Sequence, residues 1–286
     1  MKILPEDVYE ATARVLVQAG TSYTPGLSQV YARALEMEAD ERARWAMQQY
    51  VENSAVAEKR KLPLCDDSGI PHVFIQVGEE ASFGGPLLKA ITEGVAEGLR
   101  RMPGRPMAVL GDEIQRIEQS EGLSPRSEDL VPAPFSIRRI PGKKVRITVL
   151  LLGGGPEIRS KTYRIFHKHH VETVLDEIVR WGAEMVRELG CTPAILAVGL
   201  GRSHYEATNL LLEAMALGDL VNQRPLEQQI TQRLNDGGSG PLGLGGRTSV
   251  LATLMNIGPT RASGVRIVSV RPCCGVEPRR ATVELG

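Results

Sequence analysis

The sequence predicts a mixed α/β fold, a helical N-terminal segment followed by alternating helices and strands around a mixed sheet. Three observations predict it. Apolar residues recur at helical spacing from Pro5 to about Lys61. Beyond Pro63, short apolar runs bounded by Gly and Pro alternate with helical periods. The 286 residues, 42% of them hydrophobic, suffice to bury one large core. The chain reads as a single domain over 1–286, with 1–61 as the helical segment and 62–286 as the α/β core. No internal repeat is visible.

The elements follow in order. Pro5 and the acidic pair Glu6-Asp7 open a helix carrying Val8, Ala11, Val15 and Leu16. A turn at Tyr23-Thr24-Pro25-Gly26 leads into one helix through Val30, Leu35, Trp45 and Tyr50, read as structural. A short extended piece ends at Cys65, and after Asp66-Asp67-Ser68-Gly69 the run His72–Gly78 reads as a strand. Residues Pro86–Arg101 are helical and Met107–Leu110 a strand; Gly111–Pro134 lacks a period and reads as a long surface excursion. Phe135–Leu152 alternates like two strands joined at Pro141-Gly142. A helix over Val171–Leu189 stops at Gly190; Ala194–Val198 is a strand, Gly199-Leu200-Gly201 a turn and His204–Leu217 a helix. A helix near Pro225–Leu234 precedes strands at Thr248–Met255 and Val265–Val270.

Charge and hydropathy exclude several functions. Lys plus Arg and Asp plus Glu both number 34, so no bulk charge draws the chain to a nucleic acid. The longest apolar runs, such as Val149–Leu152, fall far short of a membrane span of about 20 residues. The start Met1–Asp7 turns acidic where a signal peptide turns apolar, which predicts a cytoplasmic protein. The four cysteines, Cys65, Cys191, Cys273 and Cys274, are scattered over three regions, a pattern that makes a poor disulfide framework and supports a zinc module only weakly. Each region lies at a junction between regular elements beside Gly or Pro, whereas core cysteines sit within elements. Three thiolates from distant segments would suit an iron–sulfur cluster with one open iron position. Such an iron is a Lewis acid and needs a nearby base, for which Asp67 stands two residues after Cys65.

These residues carry a resemblance. Cys65-Asp66-Asp67-Ser68-Gly69 resembles the Cys-Gln-Asp-Thr-Gly motif of class I fumarate hydratases and of the tartrate dehydratase α subunit. Gly153-Gly154-Gly155-Pro156-Glu157-Ile158-Arg159-Ser160-Lys161 is similar to their Gly-Gly-Gly-Ser-Glu-Asn-Lys-Ser loop. Gly190-Cys191-Thr192-Pro193, Gly243–Thr248, and Val268–Cys274 with Arg279-Arg280 resemble three further motifs in the same order. The resemblance implies a 4Fe-4S cluster held by Cys65, Cys191 and Cys274, with Cys273 open as the alternative third ligand. It implies a substrate contact at Asp66, with Asp67 in proton handling; the glycines Gly154 and Gly155 permit a substrate carboxylate to approach exposed backbone N–H groups. It also implies a reversible hydro-lyase acting on a hydroxy-dicarboxylate, fumarate/malate before tartrate, as the α subunit of a hetero-oligomer with α–α contacts. A β-type subunit would complete its active site.

Two departures stand out. Asp66 replaces an amide, which sets a carboxylate toward an anionic substrate. The family's arginine-bearing segment is not visible between Leu110 and Pro134, where Arg116 and Arg126 are the candidates to bind the substrate carboxylate. This second departure also suits a non-catalytic relative that keeps the cluster as a structural or iron/oxygen-sensing module, and a zinc-binding structural protein is a third reading. His167, His169 and His170 read as a solvated basic segment at a helix start. The run Arg138, Arg139, Lys143, Lys144 and Arg146 reads as a solvated strand face.

Overall fold

The computed structural model describes residues 3–102 and 104–286, so the reading of Met1-Lys2 lies outside the described residues. The fold is mixed α/β, and its strands divide between two four-stranded mixed sheets, one in each of two compact units. The first unit takes the chain up to Ser22, Ser54–Gly153 and Arg279–Gly286; the second takes Tyr23–Asn53 and Gly154–Pro278.

In the first unit, α1 (Pro5–Thr21) has proline in its first turn, where a missing N–H costs nothing, and acids that complement the helix dipole. Its buried face, Val8, Val15, Leu16 and Ala19, packs with α4 (Gly85–Arg101) over the sheet. That sheet has the order β2-β1-β3-β8, with β1 (Ile70–Gly78), β2 (Ser136–Ile140), β3 (Val145–Leu152) and β8 (Arg279–Leu285).

Two expectations for this unit are corrected. First, β2 and β3 are not paired through Pro141-Gly142, because β1 lies between them, parallel to β2 and antiparallel to β3. The reason is burial. Seven of the eight residues of β3 are buried, so it needs a neighbour on each side, whereas β2 exposes Arg138 and Arg139 and takes the edge. Second, Met107–Leu110 forms only an isolated bridge, Val109 with Leu123. Gly111 turns the chain away at φ +103°, and Asp112 with Gln115 makes a capping box that starts the short helix α5 (Glu113–Glu118) inside the expected excursion.

In the second unit, the single helix expected through Tyr50 is two: α2 (Pro25–Met37) and α3 (Glu41–Arg60), the latter contributing here up to Asn53. The break arises at Asp40, whose carboxylate accepts from the N–H groups of Arg42 and Ala43 and so begins a new helix. The sheet order is β4-β7-β5-β6, with β4 (Lys161–Phe166), β5 (Ala194–Gly201), β6 (Val250–Ile257) and β7 (Val265–Cys273). Helices α7 (Val171–Glu188), α8 (His204–Leu217) and α9 (Pro225–Asp236) pack on it, α7 burying Val174, Ile178, Trp181 and Met185 as its spacing predicts.

Gly199-Leu200-Gly201 is strand and not turn. These glycines let α8 lie directly on β5: a Cβ on Gly199 would collide with the Ala207 carbonyl, and one on Gly201 would come 2.6 Å from the Ala207 nitrogen. Sequence reading passed over β4 and β8 because their outward faces carry charge, as in Lys161, Arg164, Arg280 and Glu284.

The two sheets share one pairing pattern that no sequence repeat announces. A central strand, β1 or β5, has a parallel neighbour (β2, β6) on one side and an antiparallel neighbour (β3, β7) on the other. That antiparallel neighbour pairs antiparallel with a fourth strand, β8 or β4.

Candidate metal and substrate site

In an antiparallel pair the start of one strand lies beside the end of the other. Ile70 stands opposite Leu152 in the first sheet, and Ile195 opposite Cys273 in the second. The loop entering each central strand therefore meets the residues that leave its antiparallel neighbour. In the first unit this corner joins Cys65–Gly69 to Leu152-Gly153; in the second it joins Gly190–Pro193 to Cys274-Gly275.

The second corner brings two cysteine-bearing segments together. The Gly275 N–H donates to the Cys191 carbonyl at 2.8 Å. Cys191 is exposed, Cys274 is half-buried, and both lie near the Tyr50 hydroxyl. Tyr23, Tyr31 and Tyr50 stack with centroids 5.7 and 6.0 Å apart, and the hydroxyls of Tyr31 (2.6 Å) and Tyr23 (3.2 Å) donate to the Gly275 carbonyl. Gly275 is required there, since a Cβ would come 2.6 Å from the Tyr50 ring. Burial pushes all three phenols well above the usual tyrosine range, and for Tyr50 the nearby Cys191 and Cys274 thiols add to that, so they stay neutral donors.

Cys273 points elsewhere. It is fully buried, with Sγ 3.7 Å from the Arg271 guanidinium, and Arg271 in turn binds Glu277 (2.8 Å) and Glu157 (3.0 Å). The adjacent cysteines thus differ: Cys273 belongs to a buried ion network, whereas Cys274 lies near the tyrosines and opens the turn that hydrogen-bonds the Cys191 carbonyl. Among the described residues no three His, Cys, Asp or Glu side chains gather as a metal site.

The first corner is built on charge. Gly69 has φ +82°, a conformation that glycine adopts without strain, and its N–H donates to Asp67 Oδ1 at 3.0 Å. The buried Arg279 donates to the Asp67 carbonyl at 2.6 Å, and its Nε has no hydrogen-bond partner among the described residues. Asp66 is exposed and forms an ion pair with Arg105 at 3.1 Å, while the Ser68 hydroxyl donates to the Arg105 carbonyl. The Asp66 carboxylate therefore carries its own counter-charge. Cys65 itself is half-buried.

The remaining predicted residues are placed as follows. Gly154 and Gly155 open a one-turn helix, α6 (Gly154–Glu157), and the surroundings of Gly155 are open, with nothing within 4 Å of where a Cβ would stand. Arg116 donates to the Asp112 carbonyl on exposed α5, and Arg126 is paired with Asp129. His167 departs from the expected solvated segment: it is buried, with Nε2 against the Ser263 carbonyl and Nδ1 accepting from the His169 N–H. Arg105 carries no signal, because no period marks its surroundings, and neither do the three tyrosines, because the turn holding Tyr23 and the helices holding Tyr31 and Tyr50 look purely structural.

A family model described as fumarate hydratase (Fumerase) matches residues 9–284. The chain belongs to this family. Within the fumarate hydratase family, it is 23% identical over 237 residues to the "Putative L(+)-tartrate dehydratase subunit alpha" of Methanocaldococcus jannaschii, covering 78% of this chain and 79% of that one. It is 26% identical over 200 residues to the L(+)-tartrate dehydratase subunit alpha of Escherichia coli strain UTI89, covering 66% of this chain and 62% of that one. It is 24% identical to the aerobic class I fumarate hydratase of Escherichia coli K12, covering 79% of this chain; the matched region spans only 40% of that enzyme's length. Family membership supports hydro-lyase chemistry. No helix among the described residues is long and apolar enough to cross a membrane.

Proposed function

We propose that the chain is the α-type subunit of a cytoplasmic, iron–sulfur-dependent hydro-lyase that adds or removes water reversibly on a hydroxy-dicarboxylate. Fumarate/malate is the first substrate and tartrate the second, and a β-type subunit completes the active site. What supports this reading most is that the turn after Cys274 hydrogen-bonds the Cys191 carbonyl beside the three stacked tyrosines, while Cys273 lies in a buried ion network. Two accessible thiols in one corner are a soft donor set of the kind that binds iron–sulfur clusters. Cys191 and Cys274 would hold the 4Fe-4S cluster, with Cys65 as third ligand on the strength of its motif. When bound, such a cluster supplies an open iron position that acts as a Lewis acid toward the substrate hydroxyl and carboxylate.

The chain's own residues take the remaining work. Asp67, oriented by the Gly69 N–H, receives the substrate C–H proton during dehydration and returns it during hydration. Arg105 replaces the family's missing arginine: its guanidinium stands beside the Asp66 carboxylate and binds a substrate carboxylate. The open surroundings of Gly155 let a substrate approach the backbone of the Gly154-Gly155 segment closely. Names carrying "subunit alpha" among the relatives support the β-type partner.

The test is anaerobic reconstitution with iron and sulfide, followed by metal analysis of single variants. Cys65→Ser, Cys191→Ser and Cys274→Ser lose the cluster and Cys273→Ser keeps it; the reverse outcome at 273 and 274 overturns the ligand assignment. Malate, fumarate and tartrate turnover with a co-purified β partner then decides the substrate. A protein that keeps its cluster but turns over none of them is the structural or sensing relative.

A further inference from the structure

The short loop after β3 touches both thiol segments of the second unit. It is internally rigid: the Ile158 N–H donates to the Gly154 carbonyl at 3.0 Å and the Ser160 N–H to the Glu157 carbonyl at 3.0 Å. One arm of the loop is Glu157. Its carboxylate meets Nε of Arg271 at 3.0 Å, and Arg271, 1% exposed, holds Glu277 at 2.8 and 3.3 Å through its two terminal nitrogens. The Glu277 N–H in turn donates to the Cys274 carbonyl at 2.8 Å and closes the Cys274 turn.

The other arm is Arg159. Its guanidinium donates to Gly155 within the loop at 2.7 Å and to the carbonyl of Glu188 at 2.9 Å. Glu188 is the last residue of α7 and stands three residues before Cys191. One loop thus grips the Cys274 turn on one side and the approach to Cys191 on the other. Bonds that fix two backbone segments relative to one loop also fix the side chains those segments carry.

We propose that the Gly154–Ser160 loop is a brace that sets the spacing of the Cys191 and Cys274 thiols, with Glu157 and Arg159 as its positioning residues. This rests on the paired-thiol site proposed above and deepens it. Glu157 is half-exposed and Arg159 part-exposed, so their replacement opens no buried void. The Gln substitution at 157 is isosteric and keeps an oxygen acceptor while removing the charge that faces Arg271.

The experiment uses the full-length apoprotein in a Cys65→Ser background under anaerobic conditions, titrated with Cd2+ and read by thiolate charge-transfer absorption. The parent binds one Cd2+ per chain, and adding Cys274→Ser abolishes the band. Glu157→Gln with Arg159→Gln weakens Cd2+ binding at least tenfold at unchanged circular dichroism and Tm; Arg159→Lys recovers part of the loss. Each single substitution shows a smaller loss of the same sign. If the double variant binds Cd2+ as tightly as the parent, the brace is wrong and the thiol pair stands. If the parent shows no band from Cys191 and Cys274, the thiol pair itself fails, and the brace with it.

Discussion

The two corners at which β1 and β5 begin rest on the same strand pairing, yet they are filled with different chemistry. In the first, Cys65 shares its corner with Leu152-Gly153, and the loop is held by charge: Asp66 with Arg105, and the Asp67 carbonyl with buried Arg279. In the second, Cys191 shares its corner with Cys274-Gly275, and the loop is held by neutral phenols donating to Gly275. A repeated backbone pattern therefore fixes where a loop can meet a strand end, while the residues at that junction decide whether the corner offers sulfur or charge. Charged groups suit recognition of an anionic substrate, and paired sulfurs suit a soft metal.

Four outcomes would sharpen or break this contrast. The largest lies in the second corner: reconstituted iron content falls more than tenfold in Cys191→Ser and Cys274→Ser and is retained in Cys273→Ser. Equal losses at 273 and 274 would erase the distinction between the buried and the facing sulfur. Next comes Arg279→Met, which removes the hydrogen bond from the buried Arg279 to the Asp67 carbonyl and lowers stability by about 1–3 kcal/mol in urea unfolding. Tyr31→Phe removes one of the two phenol donors at Gly275, and about 1 kcal/mol is expected because Tyr23 still donates there. The smallest effect on stability is Asp66→Asn. Its ion pair is exposed, so Tm stays unchanged. The same substitution frees Arg105 for the substrate and lowers KM for a dicarboxylate at similar kcat; a raised KM would count against Arg105 as the anion-binding group.

Much of this was legible in the residues. The Cys65–Gly69 and Gly190–Pro193 loops show as glycine- and proline-bounded breaks before apolar strands, because a chain leaving regular structure needs such residues. The register of β7 was not legible. Val265–Val270 reads as the strand, but β7 continues through Cys273, and only that extension separates a cysteine beside Arg271 from one that leaves the sheet. Gly199-Leu200-Gly201 misled for a related reason, since glycine signals a turn and equally a close helix–strand contact, and the approach of Ala207 selects the second. Tyr50 and Arg105 carry no periodic mark of function. They acquire it from neighbours far away in the chain.

The sequence by itself determined the mixed α/β class, the position of most helices and strands, the three cysteine regions and the family. These rest on local periodicity, turn chemistry and motif order, all of which lie within short stretches of chain. Tertiary structure alone decided that the strands form two sheets with one pairing pattern, that β1 separates β2 from β3, and that Cys273 lies beside Arg271 while the turn after Cys274 hydrogen-bonds Cys191. It also decided that Asp66 meets Arg105. Each of these depends on which distant segments share a sheet edge or a corner, and burial of whole faces settles that, not any local preference.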